Sequence, residues 1–122
     1  MHSEPMIAVR DVRASAAWYR KLLGCASDHG RPDFDRLVED GRVLLMLHQT
    51  PAEEHGLSKP VAGAVGSGFL LWIYVDDLNQ VFQRAKELEA PIVVKPHANP
   101  QAGWREFTVR DPDGYHVAIA ET

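Results

Sequence analysis

The sequence predicts an α+β fold built from two βαβββ modules that form a cupped mixed sheet, and three features carry this prediction. First, an alternating strand pattern leads into a helix pattern twice, each time with an aspartate at the junction, Asp11 and Asp77. Second, the offset between these aspartates also relates Val9 to Val75, Val12 to Leu78 and Leu22 to Leu88. Third, each helix pattern is followed by alternating runs that turn at an Asp-Gly pair, which is the strongest short signal for a hairpin.

The first module begins with a strand at Met6 and continues into a helix that Asp11 caps and Gly24 ends. Its predicted inward residues are Ala16, Tyr19, Leu22 and Leu23, which recur at helical spacing. The segment CASDHG predicts a short strand, and the run from Phe34 to Gln49 predicts a hairpin that turns at Asp40-Gly41.

The second module repeats this order, with a strand from Phe69, a helix after Asp77 and a helix stop at Pro91. The predicted inward residues of this helix are Val81, Phe82, Ala85 and Leu88. The segment PIVVKP predicts a strand, and WREFTVRDPDGYHVAIAE predicts a hairpin in which Pro112, Gly114 and Asp111 build the turn. Residues 1–122 therefore form a single domain, with module one at 1–50, a Pro- and Gly-rich connection at 51–68 and module two at 69–122.

Composition and charge exclude several classes of protein. The 122 residues are enough for one core, and 45% hydrophobic with 25% charged residues is ordinary globular usage. A net charge of −4 without a basic run argues against nucleic acid as a partner, and no apolar run reaches the length of a membrane span. Cys25 is the single cysteine, so no intrachain disulfide can form, and the absence of a signal-peptide pattern at the N-terminus favours the cytoplasm.

Period-2 alternation assigns the two faces of the predicted sheet. The helix side receives Val43, Leu45, Leu47, Leu71, Ile73, Val75, Val117 and Ile119. The opposite face receives Leu44, Met46, His48, Leu70, Trp72, Tyr74, Glu106, Thr108, His116, Ala118 and Ala120. Because a solvent face rarely carries so many large apolar side chains, this face is expected to line a cup that binds a small molecule.

Three segments resemble a known family. VRDVRASAAWYRKLLG, YVDDLNQVFQRAKELEAP and FTVRDPDGYHVAIAE are similar to the strand-helix and hairpin signatures of the vicinal oxygen chelate superfamily. That superfamily contains glyoxalase I, extradiol dioxygenases and the bleomycin resistance proteins. The resemblance implies paired βαβββ modules and a homodimer in which both chains complete each cup.

The resemblance also implies four positions at which the enzymes of this superfamily hold a divalent metal. By the motifs, those positions fall on Glu4, Met46, Leu70 and Ala118, and among these only Glu4 carries a suitable oxygen donor. No metal or other cofactor is therefore expected, and Ala118 is expected to leave room where the enzymes have a carboxylate.

LLWIYVDDL, GWREFTVRDPDG and FDRLVEDGRVLL are further similar to the bleomycin resistance branch, whose members are metal-free dimers that sequester a cationic antibiotic without chemistry. This implies antibiotic resistance or a related binding role, with an aromatic or cationic small molecule held in a groove at the dimer interface. No catalytic residue is assigned. The expected ligand-binding residues are Glu4, Phe34, Met46, His48, Leu70, Trp72, Tyr74, Trp104, Glu106 and His116.

Two other functions remain open on the same residues. His48 and His116, with Glu106 or Glu4, could form a displaced metal site of a lyase, isomerase or dioxygenase. Alternatively, Glu106 beside His48 could act as acid and base in a metal-free isomerase. The remaining histidines, His2, His29, His55 and His97, are expected to be exposed in loops or at the terminus, and Trp18 is expected in the core or an interface.

Overall fold

The computed structural model describes residues 1–52, 55, 68–98 and 103–121. The chain divides into two compact units, Met1–Gly66 and Ser67–Thr122, each of which contains one βαβββ module. The first unit contains β1 (Met6–Val9), α1 (Val12–Leu23), β2 (Ala26–Ser27), β3 (Phe34–Glu39) and β4 (Arg42–Gln49). The second contains β5 (Leu70–Tyr74), α2 (Leu78–Glu87), β6 (Ile92–Ala98), β7 (Arg105–Arg110) and β8 (His116–Glu121). Most of the predicted connection 51–68 lies outside the described residues.

The two sheets have the same topology. Their strand orders are β1-β4-β3-β2 and β5-β8-β7-β6, and in each sheet the first strand pairs parallel with the last while the others pair antiparallel. The predicted α+β fold of two repeated modules is therefore confirmed.

Both helices begin where the sequence predicts. The Oδ1 atom of Asp11 accepts from the N–H of Ala14 at 3.0 Å, and the Oδ1 atom of Asp77 accepts from the N–H of Gln80 at 3.0 Å. Gly24 ends α1 in the left-handed conformation, with φ 73°.

The end of α2 differs from the prediction. The helix stops at Glu87, several residues before Pro91, because Glu89 takes a left-handed φ of 55° and the chain then turns back. In that turn the N–H of Ala90 donates to the carbonyl of Ala85 at 3.0 Å. A glutamate at this backbone conformation carries no sequence signal, so proline was the wrong marker of the helix end.

Each helix covers one face of its own sheet. α1 packs against β3 and β4, and α2 packs against β7 and β8. The largest fully buried side chains are Val9, Val12, Tyr19, Leu22, Leu37, Leu45 and Leu47 in the first unit and Leu78, Phe107, Val109, Val117 and Ile119 in the second. The predicted helix-side residues Val43, Ile73 and Val75 are only half-buried. The alternation therefore assigned the face correctly but not the depth of burial at strand ends.

The two hairpins use different turns. Asp40 and Gly41 have φ of 49° and 75°, as a two-residue turn of the predicted type requires. The β7–β8 connection is longer, running from residue 111 to 115. There Asp111 Oδ1 accepts from the N–H groups of Asp113 and Tyr115, both at 2.9 Å, and Gly114 has φ 89°. The structural role predicted for this motif is confirmed.

Candidate functional site

Three aromatic side chains of the second unit form a cluster, called here the aromatic cluster: Trp72, Tyr74 and Trp104. The ring centroids are 6.1 Å apart for Trp72 and Tyr74, 6.1 Å for Trp72 and Trp104, and 5.9 Å for Tyr74 and Trp104. The interplanar angles are 66°, 66° and 89°, so every contact joins an edge to a face, which is a favourable arrangement of ring quadrupoles. The sequence predicted these residues individually, and the structure brings them together.

The register of β5 positions two members of the cluster. Trp72 pairs with Ala118 and Tyr74 pairs with Ala120 across the parallel β5–β8 ladder, so these four side chains lie on the face opposite α2. Trp104 directly precedes β7 and follows Gly103, whose φ is 76°.

Ala118 and Ala120 are fully buried although they face away from the helix, with exposed fractions of 1% and 0%. Solvent therefore does not reach the Ala118 side chain. Small side chains at these positions allow the large rings beside them to lie close to the sheet.

Both indole nitrogens of the cluster are shielded from solvent. Within the described ranges, neither Trp72 Nε1 nor Trp104 Nε1 has a hydrogen-bond partner. Tyr74, by contrast, is 57% exposed. The cluster thus has one open side, at the tyrosine, and two hidden donors.

Glu106 lies in the same row of the sheet as Tyr74 of the cluster, because both pair with Ala120. It pairs with Ala120 on β8 and with His97 on β6, and its Oε1 atom lies 3.5 Å from Nε2 of His97. The Glu106 side chain is only 12% exposed. His97 is exposed as predicted, but it lies in β6 rather than in a loop.

His116 lies at the other end of the same sheet face. It pairs with Leu70 on β5 and with Arg110 on β7, four residues along β8 from Ala120. Four residues of strand span about 13 Å, and strand side chains stand roughly perpendicular to the sheet. His116 and Glu106 therefore lie too far apart to share one cation at a coordination distance of about 2.1 Å.

The corresponding face of the first unit is lined differently. Met46 pairs with Met6 on β1 and with Arg36 on β3, and in the next row His48 pairs with Ala8 and Phe34. Met46 and Arg36 of module one thus stand at the positions that Ala118 and Thr108 occupy in module two.

A series of ring contacts surrounds Phe34 and His48. The centroid of Phe34 lies 5.2 Å from that of His29 and 6.3 Å from that of His48, and His48 lies 5.1 Å from His55. His48 Nδ1 lies 2.8 Å from the carbonyl oxygen of Gln49, so Nδ1 donates that bond. His29 and His55 are exposed as predicted, yet both contact predicted site residues.

Arg36 is a residue of this face that sequence reasoning missed. Its Nε and Nη2 atoms donate to the two carboxylate oxygens of Asp28 at 3.0 Å and 2.6 Å. Hydrogen bonds from Arg36, and then from His29, lower the pKa of Asp28 to about 2. The alternation of β3, which places Arg36 on the same face as Phe34, was the signal that could have found it.

The remaining predicted residues are accounted for individually. Glu4 precedes β1, is exposed, and has its Oε1 atom 3.4 Å from Nε2 of His2. Leu70 is 45% exposed at the start of β5.

Trp18 on α1 is half-buried, with its ring 4.9 Å from that of Tyr19. Burial raises the pKa of the Cys25 thiol, which disfavours the reactive thiolate.

The four superfamily metal positions do not fit a metal. A thioether, a leucine side chain and a buried methyl group stand at Met46, Leu70 and Ala118, and the one carboxylate, Glu4, already contacts His2. In residues 1–52, 55, 68–98 and 103–121, no group of three or more His, Cys, Asp or Glu is arranged to hold a metal ion.

Comparison with known families places this geometry in context. The sequence profile of the Glyoxalase/Bleomycin resistance protein/Dioxygenase superfamily matches residues 3–119, nearly the whole chain. The chain belongs to this superfamily. The match does not distinguish the bleomycin resistance branch from the enzymes, and a comparison with curated proteins gave no match.

Solved structures of other proteins share the fold. Lactoylglutathione lyase from Agrobacterium tumefaciens is 25% identical, with a TM-score of 0.72 and coverage of 99% of this chain and 92% of that one. TioX from Micromonospora sp. ML1 is 20% identical, with a TM-score of 0.73 and 98% of both chains covered. A glyoxalase/bleomycin resistance protein/dioxygenase family enzyme from Burkholderia phytofirmans PsJN is 21% identical, with a TM-score of 0.79 and coverage of 98% and 96%.

Neither helix of the described segments is long and apolar enough to cross a bilayer.

Proposed function

We propose that this superfamily member is a metal-free binding protein that sequesters an aromatic or cationic small molecule without chemical change. The ligand occupies the face of β5, β7 and β8 that carries the aromatic cluster. An antibiotic is one ligand class that fits this proposal, as in the bleomycin resistance branch that the sequence resembles.

The aromatic cluster is the observation that supports this proposal most directly. Three large rings within about 6 Å of one another stand on a sheet face opposite the helix, and Tyr74 leaves one side of the group exposed. Apolar rings with a few polar groups beside them are the usual lining of a ligand site. Stacking of a planar ligand on such rings contributes about 0.5–1.5 kcal/mol beyond the burial of area.

The donor set supports a role without a metal. Sites for Zn²⁺ and similar cations need several nitrogen, oxygen or thiolate donors at one point, and Met46, Leu70 and Ala118 offer none. The register argues against the displaced site that the sequence left open, because Glu106 on β7 pairs with Ala120, which lies four residues along β8 from His116.

A homodimer remains part of the proposal, and β5 provides the support for it. This strand is at the edge of its sheet, and Phe69, Leu70 and Tyr74 expose 42%, 45% and 57% of their surface. A second copy that covers these side chains would bury apolar surface and complete the groove. Light scattering at several protein concentrations tests this, and a monomer at all concentrations contradicts it.

The cytoplasmic location stays a prediction.

A ligand screen tests the binding role. Thermal shift with cationic antibiotics and aromatic metabolites selects binders, and quenching of tryptophan fluorescence then measures their affinity. We expect quenching by a binder to be reduced when Trp72 or Trp104 is replaced by phenylalanine. Trp18→Phe is the matched control, because Trp18 lies on α1 and outside the cluster.

The rival function is a metal-dependent lyase, which the 25% identity to the A. tumefaciens lactoylglutathione lyase keeps open. Elemental analysis of protein purified without chelator separates the two functions. Near-stoichiometric Zn, Ni, Fe or Mn would overturn the metal-free role, whereas ligand binding by protein without these metals supports it.

A further inference from the structure

We propose that the ligand of the aromatic cluster is a planar molecule with an uncharged acceptor oxygen, such as a ring carbonyl, that the indole N–H groups of Trp72 and Trp104 recognise. This inference rests on the proposed function and chooses between the aromatic and the cationic ligands that the proposed function allows. The observation that carries it is the pair of indole nitrogens that are hidden from water.

Two hydrogen-bond donors without acceptors are unusual in one small cluster. Most buried polar groups in proteins have a partner, and an exception calls for a physical reason. Within the described part of the chain, Trp72 Nε1 and Trp104 Nε1 both lack an acceptor, and their rings are 6.1 Å apart. Neither N–H group therefore serves as a structural hydrogen-bond donor within the described residues.

The hidden donors favour a ligand acceptor because they have already lost their water. A typical protein–ligand hydrogen bond replaces a bond to water, so its net contribution is small. Here both N–H groups are already without water in the free protein. A ligand oxygen can therefore form a hydrogen bond to them without displacing a water molecule from the donor. A ligand that has donors only leaves both groups unpaired.

The ring arrangement disfavours a cation at the same place. The edge of an aromatic ring is electropositive and its face is electronegative, so a cation needs a free face. All three contacts in the cluster join an edge to a face, which leaves fewer faces available. The carboxylate of Glu106 lies 3.5 Å from Nε2 of His97.

Both Nε1 atoms are buried, so the ligand reaches them only when a covering side chain moves. Trp104 precedes β7 and is not part of the β6–β7 or β7–β8 ladders, so its backbone can shift without the loss of a ladder hydrogen bond. The ligand enters beside Tyr74, which is 57% exposed.

A matched pair of probes tests the inference on the full chain. Acridone and 9-aminoacridine have the same three fused rings. Acridone carries a neutral carbonyl, whereas 9-aminoacridine is a cation at neutral pH without a free acceptor. We expect calorimetry to show that acridone binds at least tenfold more tightly. In ¹H–¹⁵N spectra the indole signals of Trp72 and Trp104 should shift downfield with acridone and not with 9-aminoacridine.

Replacement of each indole by benzothiophene removes the donor and keeps the shape of the ring. We expect this change at Trp72 or Trp104 to reduce the preference for acridone at least fivefold, whereas the same change at Trp18 leaves it unaltered. Melting temperatures confirm that each variant is folded.

The outcomes separate this inference from the proposed function. Equal binding of the two probes, or a preference that survives both benzothiophene replacements, overturns the acceptor inference and leaves a stacking site intact. Binding of neither probe, with no change in tryptophan fluorescence, overturns both.

Discussion

The rings of Trp72 and Trp104 meet edge to face, with their centroids 6.1 Å apart and both indole nitrogens hidden from solvent. Trp72 is held by the β5–β8 ladder, whereas Trp104 comes from the approach to β7. The contact therefore joins two distant parts of the module. It defines the candidate site of the second unit and makes Trp104 the residue to change first.

Trp104→Ala should weaken binding of a planar ligand at least tenfold, because the ligand loses one ring of the cluster and one hydrogen-bond donor. Fluorescence titration of the remaining tryptophans measures the effect. Trp18→Ala is the control and should leave affinity within about twofold. Unchanged affinity in Trp104→Ala, with an unaltered melting curve, would show that the residue is not part of a ligand site.

Ala118→Glu should destabilise the protein by about 3 kcal/mol or more, because it introduces an unpaired carboxylate at a position that is 1% exposed. Urea denaturation measures the change. Lys95→Glu on the exposed part of β6 is the control and should stay within about 0.5 kcal/mol. If the Ala118 variant kept its stability, a carboxylate would fit on this face and the burial argument for Ala118 would be contradicted.

Ser15→Ala should raise the free energy of unfolding by about 1 kcal/mol. Ser15 is 1% exposed on α1, and in the described segments its Oγ atom has no hydrogen-bond partner. Alanine removes the unsatisfied hydroxyl and has a higher helix propensity. Thermal unfolding measures the change, with the exposed Ser3→Ala as the control. A lower melting temperature would indicate that the hydroxyl has an acceptor after all.

Asp28 should titrate near pH 2 rather than near its ordinary value of 3.8. A depressed pKa in the folded state means that the Arg36–Asp28 interaction stabilises the protein above about pH 4. This contribution is lost as the pH falls through about 2. Arg36→Gln should raise the pKa of Asp28 towards 3.8, and Arg42→Gln should not, as ¹³C NMR of the carboxyl carbons can show. A wild-type titration near 3.8 would contradict the bidentate contact.

Local signals in the sequence were sufficient for most of the fold. Asp11 and Asp77 specify helix starts because their side chains satisfy the first free N–H groups, and Asp40-Gly41 specifies its turn because both residues tolerate positive φ. The faces of the strands followed from alternation alone. These features depend on residues close together in the chain, which is why pattern reasoning found them.

The contacts that the sequence did not predict join side chains of different elements. Glu106 and His97 meet across β6 and β7 through irregular register shifts, and Arg36 reaches Asp28 from β3. Neither partner could be named from a pattern with a period of two, because the alternation gives a face and not a neighbour.

The sequence by itself determined the order of elements, the repeat of two βαβββ modules and the face on which Trp72, Tyr74 and Ala118 lie. Only the tertiary structure decided that Ala118 and Ala120 are buried on that face, that three rings meet beside them, and that two indole donors lose their water. The physical reason is that burial and ring contact arise from segments that the fold brings together, whereas capping, turn geometry and alternation are properties of a single segment.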